Sequence, residues 1–171
     1  MLAQKTQDKP PSISFQVSMV QPQPKAKLHW RLLPIAYLDN FEKMASQFAS
    51  LGLRFEDAIA LRPSNPRFLN ESGSMIIMPM GRNRSLKVKV EKSIPKMHLW
   101  LVGSQEITVS TLNAHGHCTA MAETSKVSRI EDDESYPEQS LTVDTRMAKV
   151  LHIDSKAPFV LTRFAIKHYE N

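Results

Sequence analysis

The sequence predicts an all-β protein, and three observations carry that prediction. Short runs that alternate between apolar and polar residues recur along most of the 171-residue chain. Turn-forming residues separate most of these runs, as is typical of a β-sandwich or a β-barrel. Long amphipathic helices do not alternate with the runs, which disfavours a parallel sheet with crossover helices. We therefore expect about nine or ten short strands that pack as two sheets.

The first third of the chain contains one candidate helix among its predicted strands. Residues 13–19 alternate between apolar and polar, which predicts a half-buried strand, and a proline-containing linker follows at 21–25. The apolar run at 28–37 contains a proline, so we expect an edge strand or two short pieces. Apolar residues then recur at steps of three and four over 39–51. This spacing predicts one short helix that stops at Gly52, with irregular helical turns as the alternative.

Beyond Gly52 the pattern predicts strands to the end of the chain. Continuous apolar runs at 74–80 and 97–102 are typical of strands that are buried on both faces. Alternation at 86–90 predicts a half-buried strand, and the sequence from Asn113 to Gly116 predicts a hairpin turn. Further strands are expected at 53–55, 58–61, 107–111, 117–123, 141–143, 148–153 and 159–167. We expect one sandwich domain over 13–171, with a flexible arm at 1–12.

Composition excludes several classes of protein. The chain has 22 Lys and Arg against 17 Asp and Glu, for a net charge of +5, and Cys118 is its single cysteine. One thiol excludes an internal disulfide framework and a zinc site built from cysteines. No apolar run is long enough for a transmembrane helix, and the N-terminus lacks the pattern of a secretory signal. We expect a cytoplasmic protein, or an extracytoplasmic one if a leader has been removed.

Candidate catalytic and metal-binding residues each have a simpler structural interpretation. His115 and His117 share the predicted hairpin, but a histidine beside a turn glycine is usually exposed, and further ligands are missing. Cys118 is interpreted as a small core residue. The acidic residues at 131–138 lie in one polar stretch and are interpreted as a solvated loop rather than a glycosidase pair. We therefore predict no catalytic residue, no metal and no cofactor.

Basic and aromatic residues are the remaining candidates for a binding surface. Basic side chains cluster between Arg82 and Lys96, where edge protection of the sheet is the alternative explanation. Aromatic residues are not interleaved with these bases, which disfavours nucleic acid. Trp100 lies in an apolar run and is interpreted as core, whereas Trp30 lies beside His29 and Arg31 and is the better candidate for stacking on a sugar. The candidate binding residues are Trp30, Arg62, Arg67, Arg82, Arg84, Lys87 and Lys89.

The order of several segments resembles a known family. The matching segments are 48–55 (FASLGLRF), 72–78 (SGSMIIM), 85–90 (SLKVKV), 96–103 (KMHLWLVG), 107–116 (ITVSTLNAHG), 148–153 (AKVLHI) and 158–164 (PFVLTRF). Together they resemble the jelly-roll β-sandwich of exported bacterial proteins that carry a C-terminal Pro-Glu-Pro sorting signal. The sorting tail itself is absent from this sequence. The resemblance implies a jelly-roll fold and an extracytoplasmic module that contacts saccharides.

The sequence leaves three functional hypotheses open. The first is a non-catalytic binding module for a saccharide, an anionic polymer or an acidic protein, with its contact surface at 82–96 and 62–68. The second is a protein–protein assembly or regulatory factor, in which residues 13–24 add a strand to the sheet edge of a partner. The third is a hydrolase on a sandwich scaffold, which requires paired carboxylates or a Ser/His pair in a cleft. The oligomeric state stays open.

Overall fold

A computed structural model describes residues 27–69, 74–127 and 134–169, which form twelve β-strands and three short 3-10 turns. The all-β fold class is therefore confirmed. The predicted arm at 1–12 and the predicted strand at 13–19 lie outside the described residues. The strands are β1 (Leu28–Leu32), β2 (Glu42–Met44), β3 (Leu53–Glu56), β4 (Ala58–Leu61), β5 (Ile76–Pro79), β6 (Ser85–Val90), β7 (Lys96–Gly103), β8 (Ile107–Leu112), β9 (Cys118–Glu123), β10 (Gln139–Asp144), β11 (Val150–Ser155) and β12 (Phe159–Tyr169).

Two antiparallel sheets contain these strands. The larger sheet has the order β10-β7-β12-β5-β4-β2, and β1 pairs with the C-terminal half of β12. The smaller sheet has the order β3-β6-β11-β8-β9. Within the last eight strands, β5 pairs with β12, β6 with β11, β7 with β10 and β8 with β9. These pairings are those of one long hairpin folded over on itself, which is the jelly-roll topology that the resemblance implies.

Alternating side chains of the two sheets form the main core. Leu86, Val88 and Val90 of β6 are buried on the inner side of the smaller sheet, and Lys87 and Lys89 alternate with them on the outer side. Strand β5 is buried on both faces, as its apolar run predicts: Ile77 belongs to the main core, and Ile76 to a second cluster. Enclosing both inner faces removes most of the apolar surface from water, which is the principal stabilising contribution to such a fold.

The short helix predicted over residues 39–51 is absent, and irregular turns describe the segment better. It contains β2 and a 3-10 turn at Ala49–Leu51. Phe41 has a φ of 66°, which a right-handed helix does not allow, and its side chain is exposed. Met44 and Phe48 are both buried. They are four residues apart because each enters the core separately, and not because both lie on one face of a helix. Periodicity alone does not distinguish these arrangements.

A β-bulge at Thr162 changes which side chains of β12 face the core. Leu161 pairs with Leu101 of β7, and Arg163 pairs with Trp100, so Thr162 is one extra residue in β12. Before the bulge the core-facing residues are odd-numbered, as at Leu161, and after it they are even-numbered, as at Phe164. A strand without this extra residue would point Arg163 into the core, because successive side chains alternate between faces. The bulge therefore places Arg163 and Lys167 on the outer face of the larger sheet.

Gly52 and Gly81 allow the cost of a positive φ to be separated from the cost of a steric clash. Both have positive φ, 83° and 67°, but a Cβ on Gly52 would lie 2.5 Å from the Lys92 Cβ, whereas nothing lies within 4 Å of a Cβ on Gly81. We expect Gly81→Ala to lower the free energy of unfolding by about 1–2 kcal/mol through backbone strain alone. Gly52→Ala should lower it further, because Lys92 must also move. Chemical denaturation of both variants measures this difference, and equal losses would contradict it.

Candidate functional site

The outer face of the larger sheet carries a row of aromatic rings and cations. Strand pairing fixes their order: Trp100 of β7 lies opposite Arg163 of β12, His98 lies opposite Ala165, and Lys167 lies opposite Trp30 of β1. Paired residues of antiparallel strands project to the same side of a sheet. We use the name aromatic face for the surface formed by Trp30, His98, Trp100, Arg163 and Lys167.

Trp30 is the most accessible aromatic ring of this face, with 46% of its surface exposed. The Lys167 Nζ lies 5.7 Å from the centroid of the indole, within the range of a cation–π interaction. Leu28 and Leu32 of the same strand are also exposed. The sequence favoured Trp30 over Trp100 for stacking on a sugar, and its ring is exposed, whereas the stacking itself stays a prediction. Its indole offers a large apolar surface beside a positive charge.

Arg163 and Thr162 contact Trp100, and Glu138 connects these two residues. The Arg163 guanidinium lies over the Trp100 ring, 4.5 Å from the centroid. Arg163 also forms an ion pair with Glu138. The Thr162 hydroxyl is 3.1 Å from the Trp100 carbonyl oxygen and is also bonded to the Glu138 carboxylate. Glu138 thus links the bulge at Thr162 to Arg163. These contacts orient the Arg163 guanidinium on the outer face.

His98 joins the two tryptophans. Its ring centroid lies 5.9 Å from Trp30 and 4.1 Å from Trp100, so the indoles are no more than about 10 Å apart. The His98 Nδ1 is 2.6 Å from the Thr142 hydroxyl oxygen. Burial lowers the pKa of the His98 imidazole below its usual value, and the positive charge of Arg163 lowers it further. The lowered pKa favours the neutral imidazole, which suits close packing against two indoles.

A small apolar cluster borders the aromatic face. Val102 and Val160 continue the outer side of β7 and β12, and Phe68 and Tyr136 cover them. The Arg67 guanidinium lies 5.7 Å from the Tyr136 ring centroid. The loop that contains Arg67 therefore borders one end of the aromatic face.

The structure distributes the sequence-predicted binding residues over opposite sides of the sandwich. Trp30 lies on the outer face of the larger sheet, and Arg62 and Arg67 lie in the loop that borders it. Lys87 and Lys89 lie on the outer face of the smaller sheet, and Arg82 and Arg84 lie in or beside the turn before β6. The predicted residues therefore do not form one continuous surface.

Lys89 and Arg84 of the predicted basic segment have partners within the chain. Lys89 forms a 2.5 Å ion pair with Glu56, and the hydrogen bond and charge of Glu56 raise the pKa of Lys89. Arg84 donates a hydrogen bond to the Lys156 carbonyl oxygen. Exposed ion pairs of this kind contribute little to stability. They do lower the net charge that this surface presents to a partner.

Sequence reasoning missed most of the aromatic face. Trp100 was expected in the core, but it is only half-buried on the outer side of β7, because the core-facing positions are Leu99 and Leu101. Alternation from Lys96 onward could have assigned Trp100 to the outer side. No local signal predicts the bulge that exposes Arg163, since it depends on how β7 and β12 pair.

A separate cleft of about 470 Å³ is lined by Thr119, Asp144, Arg146 and Met147. Its one lining carboxylate, Asp144, is bonded to Arg146, which lowers the pKa of that carboxyl. A glycosidase needs two carboxylates across a cleft, and this lining does not supply them. The prediction that the chain is not an enzyme stays a prediction.

The histidine and cysteine candidates lie at the β8–β9 hairpin. The Asn113 side chain accepts hydrogen bonds from the backbone N–H groups of His115 and His117, and Gly116 has a φ of 77°, which confirms the predicted turn. Cys118 is exposed, so the expectation of a core thiol is wrong. In the described part of the chain, no group of three or more His, Cys, Asp or Glu residues is placed to hold a metal ion. No helix in that part is long and apolar enough to cross a membrane.

Comparison with known proteins identifies the fold. No family model and no curated protein sequence matches the chain. Among solved structures, the K2 cleaved adhesin domain of Lys-gingipain is similar, with a TM-score of 0.50 and 12% identity over 81% of this chain and 99% of that one. The K1 adhesin domain of Lys-gingipain from Porphyromonas gingivalis has a TM-score of 0.49 and 12% identity, covering 83% and 99% of the two chains. A family 29 carbohydrate binding module has a TM-score of 0.45 and 8% identity, covering 82% and 89%. At these identities, the likeness to the K2 domain shows a shared β-sandwich fold.

The lowered pKa of His98 predicts a specific pH dependence of stability. The unfolded chain takes up a proton near pH 6.5, the usual value for histidine, whereas folded His98 does so at lower pH. The contribution of His98 to folding stability is therefore fully present above pH 6.5. It is lost as the pH falls through the folded pKa of His98. The free energy of unfolding of the parent protein should decline more steeply than that of His98→Gln between about pH 7 and pH 5. Urea titrations compare the two, and parallel pH curves would contradict the assignment.

Proposed function

We propose that this protein is a non-catalytic binding module and that its aromatic face binds a saccharide. The observation that carries the proposal is the exposed indole of Trp30, held beside Lys167 and His98 on the outer face of the larger sheet. Sugar rings have one face rich in C–H groups and a rim of hydroxyls. An exposed indole packs against the first, and polar groups beside it bind the second.

Polar groups of the required kind surround Trp30 and Trp100. The Arg163 guanidinium donates hydrogen bonds, the Glu138 carboxylate accepts them, and the Thr142 hydroxyl does both. Contacts within the face hold these groups in place, so binding costs little side-chain entropy.

The fold supports a binding role at the coarser level. The K2 domain, which shares the β-sandwich, is named as an adhesin domain. Fold alone does not assign a ligand, so the saccharide proposal depends on the side chains of the aromatic face. We favour this face over the predicted surface at 82–96, because no aromatic side chain lies among the bases of that segment.

Substitution of Trp30 tests the proposal. We expect Trp30→Ala to weaken binding to glycans retained by the parent protein by about thirtyfold, the loss of roughly 2 kcal/mol typical of a central tryptophan. Tyr37→Ala is the matched control, because Tyr37 is an exposed aromatic residue outside the aromatic face. A glycan array followed by titration calorimetry measures both variants. Absence of retention on the array, or equal effects of the two substitutions, would contradict the proposal.

A comparison between the two sheets provides a second test. Lys87→Gln and Lys89→Gln alter only the outer face of the smaller sheet, so glycan affinity should change by less than about twofold. The same titrations are used, with circular dichroism to establish that each variant folds. If either lysine substitution lowered glycan affinity more than Trp30→Ala does, the binding surface would lie on the basic strand β6 instead.

A further inference from the structure

The aromatic face carries more positive than negative charge. Arg163 and Lys167 both project from β12 onto this face. Of the nearby carboxylates, Glu138 is paired with Arg163, and Asp144 is held by Arg146 through two of its guanidinium nitrogens. Among the described carboxylates, none forms an ion pair with Lys167, whose ammonium lies over the indole instead. A ligand on Trp30 therefore meets a cation that no carboxylate of the described chain neutralises.

Arg163 also keeps hydrogen-bonding capacity for a ligand. A guanidinium has five N–H donors, and the contact with Glu138 uses the Nη2 group. Packing over Trp100 holds the guanidinium plane in place while half of the side chain stays exposed. Planar N–H groups held in this way suit a carboxylate or a sulfate, which accepts two parallel hydrogen bonds.

Ala165 separates the two cations. Arg163 and Lys167 are four residues apart on an extended strand, so their Cα atoms are roughly 13 Å apart. Ala165, which lies between them opposite His98, adds only a methyl group to the face. A ligand that spans this gap can place acidic groups of separate sugar rings at the two cations.

We propose that the ligand of the aromatic face is an acidic oligosaccharide. One sugar ring stacks on Trp30, and carboxylate or sulfate groups of the chain bind Lys167 and Arg163. This inference rests on the proposed function and adds the chemical class of the saccharide. Both kinds of acidic group present negatively charged oxygens that accept hydrogen bonds, so separate ligands are needed to distinguish them.

Matched ligands with and without charge test the inference. We would titrate the protein with oligogalacturonate and with its methyl ester, and then with a sulfated chondroitin fragment and its desulfated form. At least one acidic ligand should bind about tenfold more tightly than its uncharged or desulfated counterpart, and added salt should reduce that preference. The pair that shows the preference identifies the carboxylate or the sulfate as the recognised group.

Charge variants then locate the effect. Lys167→Gln should remove most of the preference for the acidic ligand, Lys167→Arg should retain it, and Lys89→Gln on the opposite sheet should leave it unchanged. Equal binding of each acidic ligand and its counterpart would overturn the acidic class. If Trp30→Ala still abolished that binding, the saccharide function would stand. Failure of every glycan on the array would instead overturn the proposed function and this inference together.

Discussion

The bulge at Thr162 is the constraint on which both the core and the aromatic face depend. β12 pairs with β7 along most of its length, and the extra residue shifts its alternation once, between Leu161 and Arg163. Before the shift, Phe159 and Leu161 fill the core, and after it Phe164 does so. One inserted residue thus allows a single strand to stabilise the sandwich while it presents two cations outward. The Thr162 hydroxyl is bonded to the Glu138 carboxylate and lies 3.1 Å from the Trp100 carbonyl oxygen, so the irregular backbone is anchored by the same groups that orient the site.

The jelly-roll topology explains why the aromatic face lies on the outside of the sandwich. The last eight strands form a folded-over hairpin whose two sheets cover each other's inner sides, leaving two outer faces. On the larger sheet, the loop with Phe68 and Tyr136 covers Val102 and Val160 at one end. At the other end no comparable apolar cluster forms within the described residues, and Trp30 stays accessible. The smaller sheet carries paired charges such as Lys89 and Glu56 on its outer side, a pattern typical of a solvated surface.

Much of the fold could be predicted from the sequence, because alternation is a local property. It correctly indicated the half-buried strand from Ser85 to Val90, the strand around Ile76 that is buried on both faces, and the hairpin at Gly116. Pattern reading failed at residues 39–51, where apolar residues at helical spacing do not form a helix. Phe41 has a positive φ there, outside the range of a right-handed helix. The binding surface was harder to predict, because basic residues that are neighbours in sequence need not share a face.

The sequence by itself determined the period of two along most strands, the turns between them and the excess of positive charge. Tertiary structure alone decided which strands pair, and therefore that Trp30, His98 and Arg163 lie on one face although they come from three distant segments. The physical reason is that side-chain direction follows from local backbone geometry, whereas the neighbours across a sheet follow from register and bulges. Those are set by the packing of the whole core.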